Sequence, residues 1–93
     1  MTKRYTGRKY LIAGNVQGVG YRAFAAQAGK QIGVKGWVRN LSDGRVEAFA
    51  TGTEEQLDIL EARLRQGPRW SDVRAFKVEE AAPGSEEDFF IRN

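Results

Sequence analysis

The chain has 93 residues, which is enough for one domain with a single hydrophobic core and too few for two. The absence of cysteine excludes disulfides, thiolate nucleophiles and cysteine-based zinc sites, and the absence of histidine excludes the commonest general base and metal ligand. The net charge of +3 is uneven: residues 1–47 carry nine Lys or Arg against two acidic residues, and residues 48–93 carry six against ten. We therefore expect the N-terminal half to attract anions.

We expect neither a targeting segment nor a membrane-spanning segment. No stretch approaches the ~20 apolar residues that a transmembrane helix requires, and the basic start MTKRYTGRKY lacks the apolar core of a signal peptide. We expect a cytoplasmic monomer with one domain over residues 1–93, and neither a membrane nor a nucleic-acid partner.

The first predicted elements are a strand, a glycine-rich turn and a helix. The apolar run KYLIAG, residues 9–14, has strand character and leads directly into the turn GNVQGVG. Apolar residues then recur at helical spacing from Tyr21 onward, and Gly33 is typical of a helix end. The apolar stripe of this helix consists of Phe24, Ala25, Ala28 and Ile32.

A hairpin and a second helix follow. Residues 34–40 and 45–51 are strand-like and flank Asp43-Gly44, which is a strong hairpin signal. Thr53 and Gln56 have the spacing of a capping box at a helix start, and Gly67-Pro68 marks the helix end. The apolar stripe of this second helix consists of Leu57, Leu60 and Leu64.

Two further strands complete the chain, at residues 72–81 and within the tail DFFIRN, residues 88–93. The order strand, helix, strand, strand, helix, strand, with an extra short strand at the end, predicts an α+β sandwich of the ferredoxin-like (split βαβ) type. In this fold a mostly antiparallel sheet carries two helices on one face.

The glycine turn admits three interpretations. Residues 18–23 satisfy the dinucleotide pattern G-x-G-x-x-A, with Asp43 about twenty residues further on. That reading conflicts with the antiparallel hairpin, because dinucleotide sites need a parallel doubly wound sheet. A phosphate-sized anion site is the second interpretation: turn amides and a helix start would bind the anion, and Arg22 would fold over it. A plain turn with Arg22 in solvent is the third, and spacing alone leaves the last two open.

Asn40 is an unusual residue near the end of a predicted strand, where asparagine is disfavoured. A specific hydrogen bond would explain it, and so would local turn chemistry beside Ser42 and Asp43.

Together the turn and this strand resemble the acylphosphatase family. Residues 16–22 match its pattern V-Q-G-V-G-(F/Y)-R in full, and a second pattern follows at the family's usual separation. The residues that match this second pattern are Gly36, Trp37, Val38, Asn40, Gly44, Val46 and Gly52. Asn15 departs from the family, in which a basic residue is common at this position.

The resemblance implies hydrolysis of an acyl phosphate to a carboxylate and inorganic phosphate, without a metal or other cofactor. It implies that Arg22 binds the phosphate and that Asn40 positions the attacking water. It also implies that backbone amides of the loop complete the phosphate-binding site. These amides belong to Asn15, Val16, Gln17, Gly18, Val19 and Gly20. Inorganic phosphate or sulfate is the expected product-like ligand. The alternatives are a non-catalytic anion-binding domain and an RNA-binding module of the same topology.

Overall fold

A computed structural model describes residues 4–92 of the chain. The elements follow the predicted order, including the short strand at the end of the chain. They are β1 (Thr6–Asn15), α1 (Tyr21–Ile32), β2 (Lys35–Asn40), β3 (Val46–Gly52), α2 (Glu54–Gln66), β4 (Asp72–Ala81) and β5 (Phe89–Ile91). The last strand is shorter than the tail that predicted it, and Asn93 lies outside the described residues.

The five strands form one mixed sheet in the order β4-β1-β3-β2-β5. Neighbouring strands are antiparallel except β2 and β5, which are parallel. Both helices cover one face, with α1 over β2 and β5 and α2 over β1, β3 and β4. The α+β ferredoxin-like prediction is confirmed.

The helix signals in the sequence correspond to observed caps and buried stripes. The Thr53 hydroxyl accepts a hydrogen bond from the Gln56 N–H, and the Gln56 side chain accepts one from the Thr53 N–H. This is the predicted capping box of α2, and all three predicted leucines are buried. In α1, Ala25 and Ala28 are buried as expected, whereas Phe24 is only half-buried. Tyr21 is fully buried, and its hydroxyl donates a hydrogen bond to the Leu64 carbonyl at 2.7 Å.

Strand directions bring the glycine turn and Asn40 to one end of the sheet. β1 and β2 are both antiparallel to β3, which lies between them, so they run in the same direction. Ile12 of β1 and Asn40 of β2 lie opposite the same residue, Val46 of β3. The turn that follows β1 therefore lies at the end of the sheet where β2 ends.

None of the helices within residues 4–92 has the length and apolar character needed to cross a bilayer.

Candidate active site

The turn between β1 and α1 depends on glycines with left-handed backbone conformations. Gly18 has φ 75° and Gly20, the N-cap of α1, has φ 80°. A Cβ at either position would meet no atom within 4 Å, so backbone conformation rather than space requires glycine here. The backbone on this side of the turn is consequently open to a ligand.

Backbone donors accumulate in this turn. Within residues 4–92, none of the N–H groups from Val16 to Gly20 donates a hydrogen bond to another protein group. The adjoining start of α1 has no side-chain cap and no acidic residue in its first turn. Free N–H groups beside a positive helix end form a site that favours an anion.

Arg22 adds a full positive charge to this site. It occupies the second position of α1 and lines a cleft of about 200 Å³ together with Gly18, Gly20 and Asn40. No described residue pairs with its guanidinium, either as an ion pair or by a side-chain hydrogen bond. The fork of donors on Arg22 is therefore available to an anion in the cleft.

Asn40 contributes an unsatisfied acceptor to the same cleft. Its Oδ1 atom is buried and has no hydrogen-bond partner among residues 4–92. Turn chemistry beside Asp43 does not explain the residue, because no turn group bonds to its side chain. A buried oxygen without a partner is costly in a folded protein, so Oδ1 of Asn40 is available to accept a hydrogen bond from water or a ligand in the cleft.

Gln17 fixes the glycine turn to the turn between β2 and β3. Its Nε2 donates to the carbonyl of Leu41 at 2.8 Å and to that of Arg45 at 2.9 Å. Leu41 directly follows Asn40, so this pair of bonds sets the position of the turn amides relative to the Asn40 side chain.

Asp43 has a structural role in the hairpin. Its carboxylate accepts hydrogen bonds from the Arg45 N–H at 3.0 Å and from the Arg45 Nε at 2.9 Å. The first of these bonds, from the backbone, is the main reason that the pKa of Asp43 is lowered. Together with the mixed, largely antiparallel sheet, this contradicts the dinucleotide interpretation of residues 18–23.

The structure brings together most, but not all, of the residues expected in the site. Of the expected set, the cleft is lined by Val16, Gly18, Gly20, Arg22 and Asn40. Asn15, Gln17 and Val19 are not part of its lining: Asn15 is exposed at the end of β1, the Gln17 side chain binds the neighbouring turn, and Val19 packs against the core.

Sequence reasoning did not assign Tyr21, Ala23 or Ile91 to the site, yet all three line the cleft. Ile91 reaches it through the parallel pairing of β5 with β2, where Ile91 lies beside Val38. No local pattern in the sequence reveals such a pairing. Tyr21 and Ala23 are the chain neighbours of Arg22 in the first turn of α1, so their closeness to the glycine turn in the sequence was the signal that could have identified them.

Larger clefts elsewhere in residues 4–92 contain neither the glycine turn nor Asn40. One of about 580 Å³ lies at the start of α2, where the two carboxylates of Glu54 and Glu55 outnumber the single basic residue Arg4 and disfavour a phosphate. Another, of about 400 Å³, lies near Lys35 and Glu86, away from the glycine turn.

The sequence comparisons identify one family. The family model described as Acylphosphatase matches residues 8–91. An acylphosphatase of Solibacter usitatus is 51% identical over 85 residues, which cover 91% of this chain and 88% of that protein.

Two solved structures are similar over nearly the whole chain. An acylphosphatase from Coxiella burnetii has a TM-score of 0.93 and 32% identity, covering 99% of each chain. The acylphosphatase from Bacillus subtilis has a TM-score of 0.92 and 31% identity, covering 95% of this chain and 99% of that one. These matches favour an enzyme over the anion-binding and RNA-binding alternatives. The chain belongs to the acylphosphatase family.

Proposed function

We propose that the cleft hydrolyses the carboxyl–phosphate bond of an acyl phosphate, with Arg22 and the turn amides binding the phosphate and Asn40 positioning the attacking water. The acylphosphatase activity follows from the family and from curated relatives of 51% and 49% identity. The roles of the individual residues are the proposal. Its main support is that the buried Oδ1 of Asn40 and the guanidinium of Arg22 share one cleft and that neither has a partner among residues 4–92.

Phosphate binding requires no side chain beyond Arg22. The N–H groups of residues 16–20 and the start of α1 supply neutral donors, and the guanidinium supplies charge and two parallel donors. In phosphoryl transfer the transition state is loose and charge spreads over the phosphoryl oxygens. Donors that are already in place can stabilise that charge without reorganising.

The leaving group explains why histidine is dispensable. An acyl phosphate releases a carboxylate, and the parent carboxylic acid has a pKa of about 4. The leaving oxygen therefore needs no proton at neutral pH, so a general acid is unnecessary. This matches a chain without histidine or cysteine.

Asn40 can orient water but cannot remove its proton. The Oδ1 atom accepts a hydrogen bond from water and so fixes the direction of attack on phosphorus. The proton then passes to a phosphoryl oxygen of the substrate itself. In this scheme the enzyme supplies position and charge, and the substrate supplies the base.

Phosphate release from acetyl phosphate tests the role of Arg22. We expect the wild type to hydrolyse this substrate in the presence of EDTA, and Arg22→Ala to lose at least ~10²- to 10³-fold in rate, the usual cost of one oxyanion donor. The matched control is Arg74→Ala, which removes an exposed arginine that is paired with Asp72 at 2.8 Å. Full activity in folded Arg22→Ala, or an equal loss in Arg74→Ala, would contradict the assignment.

A further inference from the structure

Trp70 occupies a turn position that normally requires glycine or asparagine. Residues 68–71 form a turn in which the Ser71 N–H donates to the Pro68 carbonyl at 3.1 Å and the Ser71 hydroxyl donates to it at 2.6 Å. Trp70 is the third residue of this turn and has φ 77°, as in a type II turn. Among residues 4–92 it is the only residue other than glycine with a positive φ. A bulky side chain is strained in this conformation.

Core packing does not account for the tryptophan. Its side chain is 80% exposed, more than that of any other large hydrophobic residue described. No aromatic pair or cation–π contact within residues 4–92 involves it. The strained backbone at Trp70 therefore carries an exposed indole that has no aromatic or cation–π partner among residues 4–92.

The turn lies beside the phosphate-binding loop. Asp72, two residues after Trp70, pairs with Asn15 at the start of that loop. A Cβ at Gly67 would lie 3.3 Å from the ring of Tyr21, the first residue of α1. Residues 67–71 consequently adjoin both ends of the loop, at the end of the sheet that holds the cleft.

Strand order places Trp70 and Asn40 on opposite sides of the loop. β4 lies on one side of β1, and β3 and β2 lie on the other, so the turn before β4 and the end of β2 flank the loop from opposite directions. In phosphoryl transfer the attacking and leaving oxygens are roughly in line. If Asn40 holds the water, the acyl group leaves away from Asn40, on the side of residues 67–71.

We infer that Trp70 is a specificity-determining residue, whose indole contacts the acyl group and favours acyl phosphates with an aromatic or extended apolar acyl portion. The inference rests on the proposed function, because it uses the direction of attack set by Asn40. A small acyl group such as acetyl offers little surface to the indole. A planar aryl group can stack on it, which is the interaction that aromatic rings favour.

The test compares kcat/KM for benzoyl phosphate and acetyl phosphate in the wild type and in three variants. In Trp70→Ala we expect about a three- to tenfold loss with benzoyl phosphate, as for one aromatic contact, and less than about a twofold change with acetyl phosphate. Trp70→Phe should keep most of the preference. Trp70→Asn should lose the preference and raise the unfolding midpoint, because asparagine tolerates a positive φ. Inhibition by inorganic phosphate should be the same in all of them.

Tyr5→Ala is the control, since Tyr5 is a second exposed aromatic residue, 57% exposed, that lines a different cleft, with Lys35 and Glu86. An unchanged substrate ratio in Trp70→Ala, with both substrates hydrolysed, overturns the role of Trp70 and leaves the proposed function intact. An equal loss for both substrates together with weaker phosphate inhibition also overturns it, because that pattern indicates a general disturbance. A folded wild type that hydrolyses neither substrate overturns both proposals.

Discussion

Asn15 is the residue of the phosphate loop that departs from the family pattern, and it is exposed at the end of β1. We expect Asn15→Lys to strengthen inhibition by inorganic phosphate up to about fivefold at low salt, since an exposed charge pair contributes up to about 1 kcal/mol. The gain should shrink as ionic strength rises, because exposed charges are screened. Gln27→Lys adds the same charge at an exposed position of α1 and serves as control. Equal inhibition constants for Asn15→Lys and Gln27→Lys would contradict a local role for position 15.

Sequence patterns located Arg22 and Asn40 but not the states of their side chains. Both positions follow from motifs that are short and local. That Oδ1 of Asn40 is buried without a partner depends on packing between β2, α1 and the glycine turn, which no local pattern encodes. The strain at Trp70 is likewise invisible in the sequence, because Pro68 predicts a turn but not its type.

Among the secondary-structure elements, the packing of α1 against β5 determines where β5 lies. Gly29 of α1 faces the Phe89 ring, and a Cβ at Gly29 would lie 2.5 Å from the nearest ring carbon. Phe89 is fully buried and begins the strand that carries Ile91 to the cleft. The absent side chain at Gly29 thus permits the close contact that positions this strand.

Gly29→Ala should destabilise the protein by up to about 2 kcal/mol. Alanine improves helix propensity by about 1 kcal/mol, but overpacking a core contact costs about 1–3 kcal/mol. Urea unfolding measures the difference. The double variant Gly29→Ala/Phe89→Leu should lose less stability than the sum of the single changes, because the smaller side chain relieves the clash. A more stable Gly29→Ala, or strict additivity, would show that the contact is not tight.

Local sequence patterns predicted the helices and strands better than they predicted which strands pair with each other. The capping box at Thr53 and the leucine stripe of α2 act within a few residues, and both are present in the structure. The parallel pairing of β5 with β2 joins residues more than fifty positions apart, so it could not be predicted. Ile91 was missed for this reason.

In the folded molecule, positive and negative charges are less separated than they are along the sequence. Arg8 from the basic half binds Asp58 at 2.7 Å and lies 3.7 Å from Glu61, both in the acidic half. Lys30 similarly lies 3.9 Å from Asp88. We therefore expect anion attraction to concentrate at the glycine turn and Arg22 rather than across the N-terminal half.

The buried tyrosines Tyr10 and Tyr21 should make the folded protein less stable at alkaline pH. Burial raises the pKa of Tyr10 from 10.0 to about 12 and raises that of Tyr21 as well. Below pH 10 both residues are protonated in the folded and unfolded chains, so they add no pH dependence. Between about pH 10 and 12 the unfolded chain releases these protons while the folded chain retains them. Stability should therefore fall with rising pH, by the order of 2 kcal/mol for Tyr10.

Urea unfolding at intervals from pH 8 to 12 measures this decline. Tyr5→Phe removes an exposed phenol and should leave the profile unchanged. Tyr10→Phe should flatten the profile, although it also removes the bond to the Leu57 carbonyl at 3.1 Å. A constant unfolding free energy up to pH 12 would contradict the assignment.

The most direct test of the proposed roles of Arg22 and Asn40 is to measure both turnover and phosphate affinity in Asn40→Ala. If Arg22 and the turn amides hold the phosphate while Asn40 positions water, kcat should fall by about 10²- to 10³-fold. The dissociation constant for inorganic phosphate should change by less than about twofold, because the lost interaction belongs to the transition state. Circular dichroism confirms that the variant is folded. Wild-type turnover, or a loss of phosphate affinity that parallels the loss of rate, would contradict the proposed division of roles.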